Sequence, residues 1–300
     1  MAEMNERYQY IIKNEDTELP IKELLKRRLG ISSRLLRKLK DGDRVYLNGR
    51  KVKLFERGRT GEKITVVLPE ESSGFPPEPI PIDVIYEDPD LLAINKQPGF
   101  VVHPTKGHPC HTIANGLMKY MLDRGDNYKI RFINRLDRDT TGILLIGKNS
   151  HCQDDFARQA SEGRVEKKYI AIVKGLVMQE KGIIDLPVGK PVDDQIKRAV
   201  IPDGYPSITH YRVLERFEKG YTLVRISLET GRTHQIRVHM SHIGHPVLGD
   251  VLYGGEAVRL IERQALHAEQ LHFQHPITGD RLSLHAPLPE DMENLLHLLR

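Results

Sequence analysis

The chain has 300 residues, 39% of them hydrophobic and 29% charged, with a formal net charge of +4. That length fits one large domain, or a large and a small one; no apolar run approaches the roughly 18 residues of a membrane span, and MAEMNERYQY lacks the parts of a signal peptide, so a cytoplasmic protein is expected. Two cysteines, Cys110 and Cys152, cannot supply a disulfide framework and belong to no CxxC pair, so both read as incidental thiols.

Residues 1–16 have mixed charge and weak patterning and read as a short extended lead. Thr17 can then cap a helix with Ile21, Leu24, Leu25 and Leu29 on one side, closed by Gly30. Ser32 or Ser33 caps a second helix carrying Leu35, Leu36 and Leu39, and Asp41 and Gly42 end it. Strands are expected over 44–47 and 51–54, joined by a tight Asn48–Gly49 turn, and 63–68 closes the unit. Between residues 17 and 68 stand fifteen Lys or Arg against six Asp or Glu, a local +9 that leaves −5 for the remainder. Positive charge concentrated this way is the footprint of a nucleic-acid-binding module, although a solvated basic face gives the same count. Arg34, Arg37, Lys38 and Lys40 place part of it on the second helix.

Residues 69–81, PEESSGFPPEPIP, are dense in Pro and small polar residues and read as an exposed linker and domain boundary. Strands are expected over 82–87 and 90–95; Lys96, just after, suits either an RNA contact or a strand cap. His103, His108 and His111 fall in a loop, and Ile113, Leu117 and Leu122 mark a helix within 110–124. The stretch RFINRLDRDTTGILLIGK then sets a polar loop between two apolar strands, with Asp137 between Arg135 and Arg138. A carboxylate so placed can serve as a nucleophile or base, whereas a solvated loop with surface ion pairs contributes little.

Ser150 can cap a helix through Phe156 and Ala160. Residues 167–173 alternate, with Tyr169, Ala171 and Val173 on one face, and Tyr169 suits a core site or a platform for a base. Residues 183–204 suggest loops and short strands, 208–216 and 221–228 an antiparallel pair. Thr233 can cap a helix with Ile236, Met240 and Ile243 on one face and Arg237 in its early turns, His234 and Gln235 being placed to orient neighbours. Strands over 270–274 and 282–285 complete the sheet, and no solenoid repeat occurs. His234, His239, His242 and His245 raise a metal-dependent hydrolase as an alternative, but the segment lacks the HExxH pattern and Gly244 interrupts it.

NRLDRDTTG resembles the HRLDxxTSG signature of the RluA/RluD family of RNA pseudouridine synthases. NKQPGFVVHP, KKYIAIVKG, and GRTHQIRVHM with GHPVLGDVLYG agree with that family in order and approximate spacing. One position departs: Asn134 stands where the family usually has His, which puts any role of that His in doubt. LGISSRLLRKLKDGDRVYLNGRKVK similarly resembles an S4 RNA-binding domain.

The resemblance implies an α+β protein with a small S4-like domain at 17–68 and a catalytic domain at 82–300, built on a large mixed, mainly antiparallel sheet flanked by helices. It implies a catalytic role for Asp137, pairing of Arg237 with that aspartate, and Tyr169 lying against the target uracil. Arg135 would contact the RNA backbone or fill the vacated stack, and Arg34, Arg37, Lys38, Lys40 and Lys96 are the other expected RNA contacts. It implies no cofactor and no metal. The expected partner is RNA, most commonly large-subunit ribosomal RNA within the family, with transfer RNA also used, and the expected state is a monomer off the membrane. A non-catalytic S4-type RNA-binding or ribosome-assembly protein is the other alternative, one that gives no reason for Asp137, Tyr169 and Arg237 to coincide with family positions.

Overall fold

Leucines at helical spacing and β-branched runs sort the chain around separate cores. The computed structural model of the protein describes residues 8–105, 107–192, 194, 196–254 and 261–300. The first unit comprises β1 (Gln9–Ile11), α1 (Ile21–Arg27), α2 (Ser33–Asp41), β2 (Val45–Leu47), β3 (Arg50–Lys51) and β4 (Lys63–Val66). Its antiparallel sheet runs β1-β4-β2-β3. Leu24, Leu25, Leu35, Leu39 and Ile64 form its core. Ser32 caps α2 as its sequence suggests, its hydroxyl accepting from the Leu35 amide at 3.2 Å.

Two local expectations change here. Thr17 does not cap α1: a 3-10 turn at Asn14–Asp16 comes first, the Thr17 hydroxyl turns back to the Asn14 carbonyl at 3.1 Å, and Pro20 takes the N-cap. The expected lead is drawn into the unit from Tyr8 onward, because β1 pairs with β4 and Tyr8, Ile12 and Asp16 are buried. Asp16 is sustained there by Arg28, whose Nη2 donates at 2.8 Å. Residues 1–7 of that lead lie outside the described residues.

Beyond residue 81 the elements are β5 (Val84–Glu87), β6 (Leu91–Lys96), α3 (Ile113–Arg124), β7 (Arg131–Phe132), β8 (Thr141–Gly147), α4 (Ser150–Ser161), β9 (Glu166–Lys174), β10 (Lys181–Asp185), β11 (Val188–Gly189), β12 (Ala199–Val200), β13 (Ile208–Phe217), β14 (Tyr221–Leu228), α5 (Gln235–His242), β15 (Leu266–Gln274), β16 (Arg281–His285) and α6 (Glu290–Leu299). Ten of these strands form one sheet ordered β10-β13-β14-β9-β15-β8-β6-β5, with β16 on β15 and β7 on β8. Among the described strand pairs of this sheet only β8–β15 is parallel, so the sheet is mixed and mainly antiparallel, as expected. Helices α3, α5 and α6 pack on one face through Leu117, Ile236, Met240, Met292 and Leu295, while α4 packs Cys152 and Phe156 on the other. Helix α6 has no counterpart in the sequence reading, although Met292, Leu295, Leu296 and Leu299 repeat at helical spacing and each buries apolar surface contributing about 1.5–3 kcal/mol.

The 69–81 segment contains no helix or strand, yet it is strapped down rather than loose. Glu71 pairs with Lys38 of α2 at 3.0 Å and with Arg131 of β7. The Ser73 hydroxyl accepts from the Ile130 amide at 2.9 Å, the Pro76 carbonyl accepts from Asn115 Nδ2 at 2.8 Å, and Phe75 packs against the large core. Tyr8 donates to Asp90 at 3.0 Å and Ser32 to Asp154 at 2.5 Å, so the small unit is docked on the large one.

The parallel junction makes two predictions. Gly142 sits at φ +105°, and a Cβ there would lie 2.2 Å from the Ala268 carbonyl oxygen, a backbone atom that cannot swing away. Gly142→Ala is expected to lower unfolding stability by about 2–5 kcal/mol, read as a reduced denaturant midpoint at unchanged slope. Beside it His267 is buried, its Nδ1 accepting from the Thr141 hydroxyl at 2.9 Å and its Nε2–H donating to the Ala286 carbonyl at 3.2 Å. Burial pushes the His267 pKa down to about 4 from 6.5. Between those values the unfolded chain takes up a proton that the folded one refuses, so stability falls as pH drops through that window. His267→Gln should flatten this slope in pH-dependent unfolding.

Candidate active site

Asp137 sits in the loop between β7 and β8, and that loop is fixed from beneath. Asn134 clamps its base: Nδ2 donates to the Ile143 carbonyl at 2.9 Å and Oδ1 accepts from the Leu145 amide at 2.7 Å. The departure from histidine at this position therefore has a structural use. Leu136 is buried, and the Asp137 carbonyl accepts from the Thr140 amide at 3.2 Å. The next carbonyls are held by buried cations, since Lys96 Nζ donates to Arg138 O at 2.7 Å and Thr140 O at 3.0 Å, and Arg263 Nη1 to Asp139 O at 3.1 Å.

Lys96 is thus a correction. It was expected among the RNA contacts, but it is fully buried, and its third bond goes to the Gln97 carbonyl at 2.9 Å. Burial brings its pKa down to about 7, against the opposing pull of Asp139 and Asp137. A cation enclosed by three carbonyls supports the loop and cannot reach a phosphate.

The opposite wall comes from α5. Thr233 was expected as its N-cap, but His234 holds that position in the left-handed region at φ 58°. The Gln235 side chain makes this entry possible: its Oε1 accepts from the Thr230 hydroxyl and the Arg232 amide, both at 2.9 Å, and its Nε2 donates to the Ile208 carbonyl at 3.0 Å. Arg237 then faces Asp137 across the cleft, its Nη1 donating to Oδ2 at 3.0 Å. Its other edge donates bidentately to buried Asp250, Nε to Oδ2 at 2.6 Å and Nη2 to Oδ1 at 2.9 Å. Burial works against the Arg237 charge, but the bonds to Asp250 and the two carboxylates outweigh it, so its pKa is raised. The guanidinium also lies 5.0 Å over the Tyr253 ring.

Tyr169 enters from β9 in the middle of the sheet, 8% exposed, and burial followed by the charge of Asp137 pushes its hydroxyl up to about 12. Asp137, Tyr169 and Arg237 line one cavity of about 60 Å³. It opens to solvent, since the Asp137 side chain is 24% exposed. Arg135 is exposed at the mouth and donates to the Thr233 hydroxyl at 3.2 Å, bridging the two walls.

The remaining expected residues do not line this cavity. Arg34, Arg37 and Lys40 are exposed on α2, while Lys38 is engaged by Glu71. The histidines considered as metal ligands do not converge. His234 Nδ1 lies 2.7 Å from the Tyr253 hydroxyl, His239 uses both nitrogens on Thr209 and Leu186 at 2.9 Å each, and His245 contacts the Lys174 carbonyl at 3.0 Å. Burial pushes the Cys152 thiol up, consistent with an incidental residue. Asp250 and Tyr253 were missed as site residues. They stand in the quoted segment GHPVLGDVLYG, but nothing local in that segment shows that its carboxylate meets an arginine thirteen positions earlier.

A carboxylate beside a recessed aromatic, in a cleft of a sheet-based domain docked to a basic module, suits an enzyme that works on bases of a polynucleotide. Residues 90–242 match the family model described as RNA pseudouridylate synthase. The chain is 42% identical over 271 residues to the uncharacterized RNA pseudouridine synthase YjbO of Bacillus subtilis, covering 89% of this chain and 95% of that one. It is 41% identical over 276 residues to ribosomal large subunit pseudouridine synthase D of Haemophilus ducreyi, covering 87% and 84% respectively. Among solved structures, human RNA pseudouridylate synthase domain containing 4 superposes with a TM-score of 0.59 at 25% identity, covering 72% of this chain and 92% of that one. The chain belongs to the RluA/RluD family of RNA pseudouridine synthases.

Asp250 should then matter to both stability and turnover. Asp250→Ala leaves the Arg237 guanidinium buried with one carboxylate partner instead of two, and removing one member of a buried pair costs about 3–5 kcal/mol. The expected outcome is a lower unfolding midpoint and a kcat reduced more than about tenfold, with KM nearly unchanged, in steady-state assays on RNA.

Proposed function

We propose that this protein converts specific uridines of large-subunit ribosomal RNA into pseudouridine. The reaction breaks the N1–C1′ bond, turns the uracil and joins C5 to C1′; N1 gains a proton and C5 loses one, so the change is an isomerisation that needs no redox partner. Asp137 faces the ribose, where its carboxylate compensates the positive charge that develops at C1′ as the bond breaks. Arg237 positions Asp137, and the Tyr169 ring lies against the free uracil. Arg135 contacts the RNA at the cleft mouth. The observation that carries this reading is the Asp137–Arg237 pair sharing a cleft with a buried tyrosine. A base must leave its stack to enter such a cleft.

The small unit acts as an S4-like RNA-binding domain, which supports the expected division at the 69–81 linker while extending the unit back to residue 8. Its exposed Arg34, Arg37 and Lys40 hold phosphates, and Lys38 joins them when Glu71 releases it. The protein works as a cytoplasmic monomer; no helix among the described residues is long and apolar enough to cross a membrane.

Asp137→Asn tests the assignment. Release of an isotopic label from uridine C5 should fall by about two to four orders of magnitude, while affinity for the same RNA stays within about twofold because the change leaves phosphate contacts intact. A mutant that isomerises as wild type refutes the role. Mapping pseudouridines in ribosomal RNA from cells lacking the protein identifies the target.

A further inference from the structure

The cleft is not the only place suited to a base. Phe55 stands 79% exposed at the tip of a turn in which the Glu56 amide donates to the Lys53 carbonyl at 3.0 Å. An exposed phenylalanine alone is ordinary, but the backbone turn that presents this one is tied down. The two residues flanking it receive the first amides of α1, Lys22 N donating to Leu54 O and Ile21 N to Glu56 O, both at 2.8 Å. The turn is thereby bolted to a helix end, which fixes the point from which the ring projects into solvent.

Beside the ring runs a groove of about 570 Å³ between α1 and α2. Lys22 and Lys26 from α1 and Arg37 and Lys40 from α2 line it together with Phe55, and its lining includes no carboxylate. Glu23 approaches Lys26 only at 3.9 Å. An exposed aromatic face among cations is an arrangement suited to single-stranded nucleic acid, the ring stacking a base while the cations follow the backbone.

We propose that Phe55 stacks an unpaired nucleobase of RNA, with the flanking phosphates taken by Lys22, Lys26, Arg37 and Lys40. This rests on the reading of the small unit as an RNA-binding module and adds to it a preference for loops or single strands over paired RNA. The groove shares no lining residue with the cleft and needs no chemistry there.

The chain contains no tryptophan, so Phe55→Trp introduces a single reporter at the proposed stacking position in the full-length protein. Emission should be quenched when a single-stranded oligonucleotide binds and stay near its starting value when fully paired RNA of equal length is bound to saturation. Phe55→Ala should weaken single-strand binding roughly 5- to 150-fold with an unchanged salt slope, whereas Lys22→Ala should lower that slope by about 1. Emission unaltered by saturating single-stranded RNA, or altered equally by paired RNA, would overturn the proposal. So would wild-type affinity in Phe55→Ala, which would leave the groove to a protein partner. Affinity and isomerisation are separate readouts: wild-type protein that binds through Phe55 yet makes no pseudouridine would sink the enzymatic assignment and leave this one standing.

Discussion

One guanidinium serves two carboxylates, and the site is arranged around that sharing. Asp250 is buried and takes two N–H groups of Arg237, which fixes the plane of the fork; a third N–H is left pointing at Asp137. A bidentate pair supplies orientation as well as charge. Because Asp250 compensates the arginine inside the protein, Asp137 can remain at the surface of the cleft, near its partner but open to a substrate. Tyr253 beneath the guanidinium and Gln235 at the helix entry restrict the same fork further.

The loop carrying Asp137 is constrained with equal thoroughness and by different means. Its successive carbonyls accept from the Thr140 amide, from Lys96 and from Arg263, so little backbone freedom is left when a nucleotide arrives. Gly142 lets β8 approach β15 closely enough for their parallel pairing, and Asn134 ties the incoming chain to the outgoing strand. Rigid mounting of reacting groups is what turns proximity into rate.

Legibility in the sequence followed the range of the interactions. Helix α2 with its Ser32 cap and the Asn48–Gly49 turn are set by neighbours a few residues apart, and both could be read directly; the alternation expected of β9 is not seen in its burial, because both of its faces are covered from Tyr169 to Val173. The Asp137–Arg237 pair spans a hundred positions and came only through resemblance to a family. Asp250 escaped notice because its partner is specified by packing of α5, not by any local pattern. Lys96 misled for a related reason: a lysine after a strand reads as a solvent-facing cation, and only the fold shows three carbonyls closing over it. Helix α6 carries an adequate apolar period of its own in Met292, Leu295, Leu296 and Leu299.

The proline-rich stretch between the units sets a leash length. Leu68 is held by Arg44, and from Ser73 onward the segment is tied to the large domain, so only residues 69–72 could pay out if Glu71 let go of its two cations. The five extended steps from residue 68 to residue 73 span at most about 18 Å. Even undocked, Leu68 would therefore stay within that radius of Ser73, a short tether that keeps the small unit beside the large one.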